Sequence, residues 1–470
     1  MTIAQLYGLF TQCTGVTTDS RTISEGVMFF ALKGDSFDGN DFALKALEKG
    51  ARYAVVDRPS LADCDRCLVV ENVLKTLQDL ARYHRSQFNI PVLAVTGTNG
   101  KTTTKELINA VLSAKYKTIA TQGNLNNHIG VPLTLFTLNS KTQMAVVEMG
   151  ASAPGEIASS VNIALPGYGL VTNVGKAHLL GFGSFDGVKR TKGELYDYLQ
   201  SHSGVVFFNA DNPNLREMIS QRPSLKTQKY GLDYCGAKVL PVSVEEPFLR
   251  IEMPYSAGYA TRRGAAEDAT CSGATADATR RGAAGDAIYL DTDKCVIRTK
   301  LVGGYNADNV LAALCVGEYF EVPFYKAVKA IEAYTPSNNR SQMVNTERNL
   351  LIIDAYNANP TSMRASLDNF ANTEFAGKAL IIGDMLELGE DSVMEHEEIL
   401  HIVAKVCPEE SIFAVGSEFA AAAKNIGSKV KLFPSSGGLK EYLEAHPLSG
   451  KTILIKGSRG TKLETILPVL

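Results

Sequence analysis

The stretch that most constrains this chain is residues 91–108, PVLAVTGTNGKTTTKELI. A continuous apolar run, VLAV, ends at a glycine, as expected of a buried parallel strand. KTTTKELINAVLSAKY follows with helical spacing of its apolar residues. Strand, glycine turn and helix in that order commit the region to an α/β layer fold. The same context is what a phosphate-binding loop needs, whose general pattern is G-x-x-x-x-G-K-[ST]. Gly100, Lys101 and Thr102 match its end, but Val95 stands where the first glycine belongs and the glycine falls at Gly97. Gly97 and Gly100 would let backbone N–H groups turn towards phosphate, and the helix start would add positive potential. Lys101 would reach the β- and γ-phosphates, and Thr102 or Thr103 would hold Mg²⁺. The competing reading is a plain glycine turn between strand and helix.

The 470 residues leave room for roughly two to four domains at about 100–200 residues each. Hydrophobic residues at 45% and charged residues at 21% are an ordinary globular balance. A net charge of −3 gives no reason to expect nucleic acid or an anionic membrane as partner. MTIAQLYGLFTQC lacks the basic start and apolar core of a secretory signal, and no apolar run nears the roughly 20 residues needed to span a bilayer. Eight scattered cysteines include one C-x-x-C, Cys64 and Cys67, with no second pair at zinc spacing. They read as reduced thiols in a cytoplasmic protein.

Three sections follow one another. Residues 1–87 alternate short apolar runs, GVMFFALKG and ARYAVVD, with a helix-like DFALKALEKG, and read as a small α/β domain. Residues 88–334 carry strand-like VLAVTG, KTIAT, MAVVEMG, YGLVTNVG and GVVFFNAD between helical stretches, which predicts a doubly wound parallel sheet. Residues 335–470 carry NLLIIDAYNANP, KALIIGDM, SIFAVGS, KVKLF and KTILIKGS, which predicts a Rossmann-like domain. ATRRGAAEDA at residue 260 returns as ATRRGAAGDA at 278. With little to bury, residues 256–287 read as a flexible insertion between two strands, FLRIEM and AIYLDT.

Several side chains stand where an open α/β sheet places ligands. Glu148 ends MAVVEMG, at the carboxyl end of a strand beside the loop, and suits Mg²⁺ as readily as it suits a solvated turn. His178 in VTNVGKAHLLGFGS follows another strand, as a site residue or a structural histidine. Lys192 in GVKRTKGELYDYL reads from composition alone as a solvated helical lysine. Asn306 and Asn309 head the helix in GGYNADNVLAAL, where capping or a base or ribose contact explains them. Asp354, Asn357 and Asn359 crowd the end of the strand in IIDAYNANPTSM, as ligand groups or as a turn. Lys456, Ser458 and Arg459 close the last strand, facing phosphate, a carboxylate or solvent.

Taken together, these residues resemble the Mur ligase family over essentially the whole chain. TGTNGKTT, TTDSR, MFFALKGDSFDGNDF, GNLNNHIGVPLTL, EMGASAPGEI, TNVGKAHLLGFGS, KGELYD, DAYNANPTSM and GDMLELGEDS carry the resemblance. The last two separate the branch that adds D-alanyl-D-alanine from siblings that add other amino acids. The short glycine loop is then a family trait.

The resemblance implies an ATP-dependent amide ligase with three α/β domains: a UDP-binding domain, a central phosphate-loop ATPase domain and a Rossmann-like domain. Thr96, Gly97, Thr98, Asn99, Gly100, Lys101, Thr102 and Thr103 would bind ATP phosphates, with Asn306, Arg340 and Asp354 at adenine, phosphate and ribose. Thr102, Glu148 and His178 would surround Mg²⁺, and Lys192 would be carbamylated into a carboxylate-like metal ligand; Lys101, His178 and Lys192 are the expected catalytic groups. Ser20, Arg21, Lys33, Asp38 and Gly39 would receive the UDP moiety, Asn126 and Asn127 the rest of that substrate, and Asn357 and Asn359 the incoming dipeptide. The implied partners are UDP-N-acetylmuramoyl-tripeptide and D-alanyl-D-alanine, taken by a monomer. Asn40 and Tyr305 stand where members often have histidine. Folylpolyglutamate synthetase is the competitor within the superfamily, and a nucleotide-binding protein without ligase activity the competitor outside it.

Overall fold

The computed structural model describes residues 1–254, 294–337 and 339–470. Three predominantly parallel sheets follow one another along the chain, each with helices packed on it. In the first, strands at Val16–Thr17, Met28–Phe30, Tyr53–Val56 and Cys67–Val69 pair side by side in chain order. Met28, Phe29 and Phe30 are all buried, because alternate residues serve opposite faces of the sheet. The helix Val73–Ser86 opens on an Asn72 cap and buries Val73, Leu77 and Leu80 against this sheet, while Ala81 joins the core of the second. At its other end the buried Arg85 donates to the carbonyls of Phe88, Ile90 and Ala164, tying the first sheet's layer to the second.

The second sheet contains β1 (Val92–Thr96), β2 (Thr118–Ala120), β3 (Met144–Glu148), β4 (Tyr168–Val171), β5 (Val205–Asn209) and β6 (Lys226–Tyr230). All run parallel, in the order β6-β5-β4-β1-β3-β2. All five residues of β1 are buried. Leu93 and Val95 pack on α1 (Lys101–Ser113) and a later helix, while Val92 and Ala94 face Val131, Val161 and Leu195 across the sheet. β1 lies where the strand order reverses between β3 and β4, the point at which open sheets leave a crevice outside the strand ends. α2 (Phe185–Ser201) and α3 (Ala307–Tyr319) complete the layers on either face.

β6 was not among the expected strands. KTQKY sits at the sheet edge with most of its side chains in or near solvent, so no apolar pattern announces it. The expected hairpin also changes: Arg250–Pro254 pairs antiparallel with Lys294–Arg298, KCVIR. The AIYLDT segment and the ATRRGAA repeat lie outside the described residues.

The third sheet is built from β7 (Gln342–Asn345), β8 (Leu350–Asp354), β9 (Lys378–Gly383), β10 (Ile412–Val415), β11 (Lys431–Phe433) and β12 (Thr452–Lys456). Their order is β7-β8-β12-β9-β10-β11, with only the unforeseen edge strand β7 antiparallel. Inserting β12 beside β8 puts Asp354 next to Lys456 at the carboxyl ends. α4 (Pro360–Asn372) starts on an Asn359 capping box with Ser362, and α5 (Ser392–Val406) packs beside it.

Candidate active site

The turn after β1 is shaped by its glycines. Gly97 has φ +142°, and a Cβ there would stand 2.0 Å from Thr172 Oγ1; Gly100 has φ +77°, and a Cβ would meet Asn309 Oδ1 at 2.7 Å. Only glycine fits both the dihedrals and the space. Residues after β4 brace the loop: Thr98 N donates to Asn173 O at 3.0 Å, Asn99 N to Asn173 Oδ1 at 3.0 Å, and Thr172 Oγ1 to Asn99 O at 2.6 Å. α1 then begins with no side-chain cap, so its first N–H groups are left to bind an anion. Lys101 Nζ donates to Gly97 O at 2.9 Å and Thr98 O at 3.0 Å. Enclosure of that amine by the loop lowers its pKa to about 8, opposed by Glu148 and helped by Arg340.

Glu148, 1% exposed, ends β3 beside this loop. Its Oε1 accepts from Thr102 Oγ1 at 3.1 Å and from Asn126 Nδ2 at 2.8 Å. Its Oε2 is buried with no hydrogen-bond partner. A buried carboxylate oxygen without a donor is costly, and a hard cation is the group that relieves it. The hydroxyl-and-carboxylate donor set therefore fits Mg²⁺. His178 borders the same cleft in a left-handed conformation, φ +51°, with Nδ1 paired to Glu387 from the third section. Lys192 is not on the cleft wall. It is buried on α2, with Nζ 5.5 Å from the centre of the Phe182 ring. Burial first, and then the Lys101 charge, lower its amine to about 7.

One cleft of about 980 Å³ runs from the phosphate loop to the third sheet, and Asn306, Arg340, Asp354 and Asn357 line its far side. Asn306 stands at the N-cap position of α3, but its side chain makes no capping hydrogen bond there. Its Nδ2 donates to Val302 O at 2.8 Å and its Oδ1 accepts from Asn309 Nδ2 at 2.8 Å, a buried pair braced from within the fold. Asp354 Oδ2 accepts from Lys456 Nζ at 2.5 Å and Ser366 Oγ at 3.1 Å. Burial alone would raise that carboxyl, but Lys456 outweighs it and holds it below the usual range. The Arg340 guanidinium lies 3.5 Å from the centre of the Tyr356 ring.

Among the other expected site residues, Asn127 and Asn359 line the cleft and also make bonds within the fold. Asn127 Oδ1 accepts from the N–H groups of Ile129 and Gly130, a local turn. Asn359 bonds Asn99 as well as capping α4. Ser20, Arg21, Lys33, Asp38 and Gly39 sit on the first sheet's layer and do not line the cleft. Arg21 pairs with Asp19 and Lys33 with Asp57, while Asn40 N–H, then Arg58, hold Asp38 down to about 2.

Residues 95–317 match the Mur ligase middle domain, 339–459 the Mur ligase glutamate ligase domain, and 12–95 the Mur ligase family catalytic domain. This chain belongs to the Mur ligase family. Among curated Mur ligases, the UDP-N-acetylmuramoyl-tripeptide–D-alanyl-D-alanine ligase of Escherichia coli (strain K12) is 32% identical over 479 residues, covering 99% of this chain and 95% of that protein. The ligase of the same name from Bacillus subtilis (strain 168) is 31% identical, over 96% and 92%. The solved structure of Acinetobacter baumannii MurF superposes with TM-score 0.79 at 27% identity, covering 99% and 98% of the chains. Thermotoga maritima MurF ligase in complex with ADP gives 0.77 at 26%, covering 98% and 97%. Mycobacterium tuberculosis folylpolyglutamate synthase, at 0.58 and 15%, shares the fold alone.

Within this Mur ligase, reading the sequence missed the Thr172–Asn173 brace, although Asn173 follows a strand just as Glu148 ends one. It also missed Tyr356 beneath Arg340, and the bridge in which Lys176 and Arg364 share the buried Glu395 at 2.9 and 2.6 Å. Nothing in a single sequence pairs such distant residues.

Proposed function

We propose that this Mur ligase joins D-alanyl-D-alanine to UDP-N-acetylmuramoyl-tripeptide, converting ATP to ADP and phosphate, as a step in making the peptidoglycan precursor. The observation that carries the reading is that the phosphate loop and the DAYNANP loop meet in one cleft, through Asn99 and Asn359. A nucleotide and an amine substrate can therefore be presented to the same reacting carboxylate. That carboxylate attacks the γ-phosphorus and ADP leaves, giving an acyl phosphate. The dipeptide amine attacks the carbonyl carbon, loses a proton, and phosphate departs.

Lys101 neutralises charge on the transferring phosphoryl group. Mg²⁺ held by Thr102, Glu148, His178 and Lys192 would supply further positive charge there. An amine shifted down to about 7 is substantially unprotonated at neutral pH, the form that adds CO₂. Carbamylated Lys192 would be such an oxygen ligand. Asn306, Arg340 and Asp354 hold the nucleotide, Asn357 and Asn359 the dipeptide, and the 1–87 domain the UDP end through Ser20, Arg21, Lys33, Asp38 and Gly39. No helix among the described residues is long and apolar enough to cross a membrane. ATP and a UDP-linked substrate support a cytoplasmic reaction, carried out by a monomer.

The test is phosphate release from purified protein with Mg·ATP, bicarbonate, D-alanyl-D-alanine and lysine- or diaminopimelate-containing UDP-tripeptide. Release should require every component. A protein that releases none with either tripeptide does not carry out this reaction.

A further inference from the structure

Arg459, beyond β12, has no part in the chemistry above. It is exposed, and its guanidinium carbon lies 5.5 Å from the centre of the Tyr356 ring, the ring that Arg340 stacks on at 3.5 Å. Among the described residues Arg459 pairs with no carboxylate. An arginine with free donors, steadied on an aromatic face, is prepared to bind a carboxylate in bidentate fashion. Leu386, beyond β9, is brought to the same place. Its N–H donates to Ser458 Oγ at 3.1 Å, and its side chain is so close to Gly460 that a Cβ there would meet Leu386 Cδ1 at 2.7 Å. Leu386 is nonetheless 44% exposed. An exposed apolar side chain beside an exposed cation suits a small apolar residue that ends in a carboxylate.

Arg340, Tyr356 and Asn357 border the reaction cleft. Arg459, near the same ring, stands beside that wall.

We propose that Arg459, with Leu386, binds the free carboxylate and terminal methyl of the incoming dipeptide and so selects an amine substrate that ends in a carboxylate. The proposal rests on the dipeptide-ligase reading. It makes Arg459 a specificity-determining residue for a C-terminal carboxylate, with its amine end left at the cleft.

The test compares D-alanyl-D-alanine with its C-terminal amide, in the wild type and in Arg459→Ala and Arg459→Lys. Loss of a charge-assisted bidentate contact should lower kcat/KM for the acid roughly 10–100-fold, mostly through KM, and leave KM for ATP unchanged. The wild type should prefer acid over amide by a similar factor, Arg459→Ala should have lost that preference, and Arg459→Lys should retain part of it. An Arg459→Ala enzyme that discriminates acid from amide as the wild type does overturns the proposal. A rise in KM for ATP in place of the dipeptide also overturns it, and assigns Arg459 to phosphate. A wild type inactive on the dipeptide defeats the ligase reading itself, which is a different result.

Discussion

Asn359 Nδ2 donates to Asn99 Oδ1 at 2.7 Å, joining the phosphate loop to the first turn of α4 across 260 residues of chain. The same side chain accepts from Ser362 N at 2.9 Å, capping α4. One amide thus does two separable jobs, and substitution can divide them.

Asn359→Ser keeps a capping oxygen but is too short for the loop, while Asn359→Ala loses both. Both variants should lose activity to a similar degree. Only Asn359→Ala should lose stability, by about 0.5–2 kcal/mol. Thermal unfolding and steady-state rates, measured together, check this. Equal destabilisation by both would show that the cap is idle.

Gly97→Ala places a methyl group against Thr172 Oγ1 in a conformation that L-residues avoid. The loop should shift off its Thr172–Asn173 brace and lose nucleotide. ATP affinity, read by titration calorimetry, should fall roughly 10-fold or more while the UDP-substrate affinity is unchanged. Unaltered ATP binding would mean that the loop is not the phosphate site.

Lys192→Ala should lower kcat by roughly 10²–10³-fold. A short carboxylate such as acetate, added at high concentration, should restore part of the loss by filling the carbamate's place. Full activity in the unsupplemented variant would mark Lys192 as a packing residue only.

His84 gives the chain an acid-sensitive term. Its ring is enclosed by Phe10, Phe88 and Phe136, and burial lowers its pKa below the ordinary 6.5. Below 6.5 the unfolded chain therefore binds a proton that the folded chain refuses. Stability falls as pH drops through 6.5 towards the lowered value, and is fully present above 6.5. The wild-type Tm should decline from about pH 7 to about pH 5, and His84→Phe should flatten that slope whatever its baseline. His396, also lowered by burial, leaves a residual slope. An unchanged slope would refute the assignment to His84.

Glu395 is 1% exposed and carries Lys176 from the β4–α2 connection and Arg364 from α4. Burial would raise its pKa, but the two cations outweigh burial and hold it ionised. Glu395→Gln should cost about 1–2 kcal/mol, at the low end for a buried carboxylate because both cations remain partly exposed. Raising salt should destabilise the wild type more than the variant. The same salt response in both would show that the bridge contributes nothing across the two layers.

What the sequence by itself determined was local. β1, its glycine loop and α1 are contiguous, so VLAVTGTNGKTT carries its own geometry: an apolar run buried on both faces, two glycines where φ is positive, and an uncapped helix start. The five apolar runs of the last section became strands for the same reason. Edge strands β6 and β7 were not legible, because a strand paired on one side and wetted on the other needs no apolar pattern. Partners were decided by tertiary structure alone. Glu148 meets Asn126 and Thr102, Asp354 meets Lys456, and Asn99 meets Asn359 only because strand order and layer packing bring separate loop ends together. Periodicity reports which face of an element is buried; it holds no information on which distant side chain will face it there.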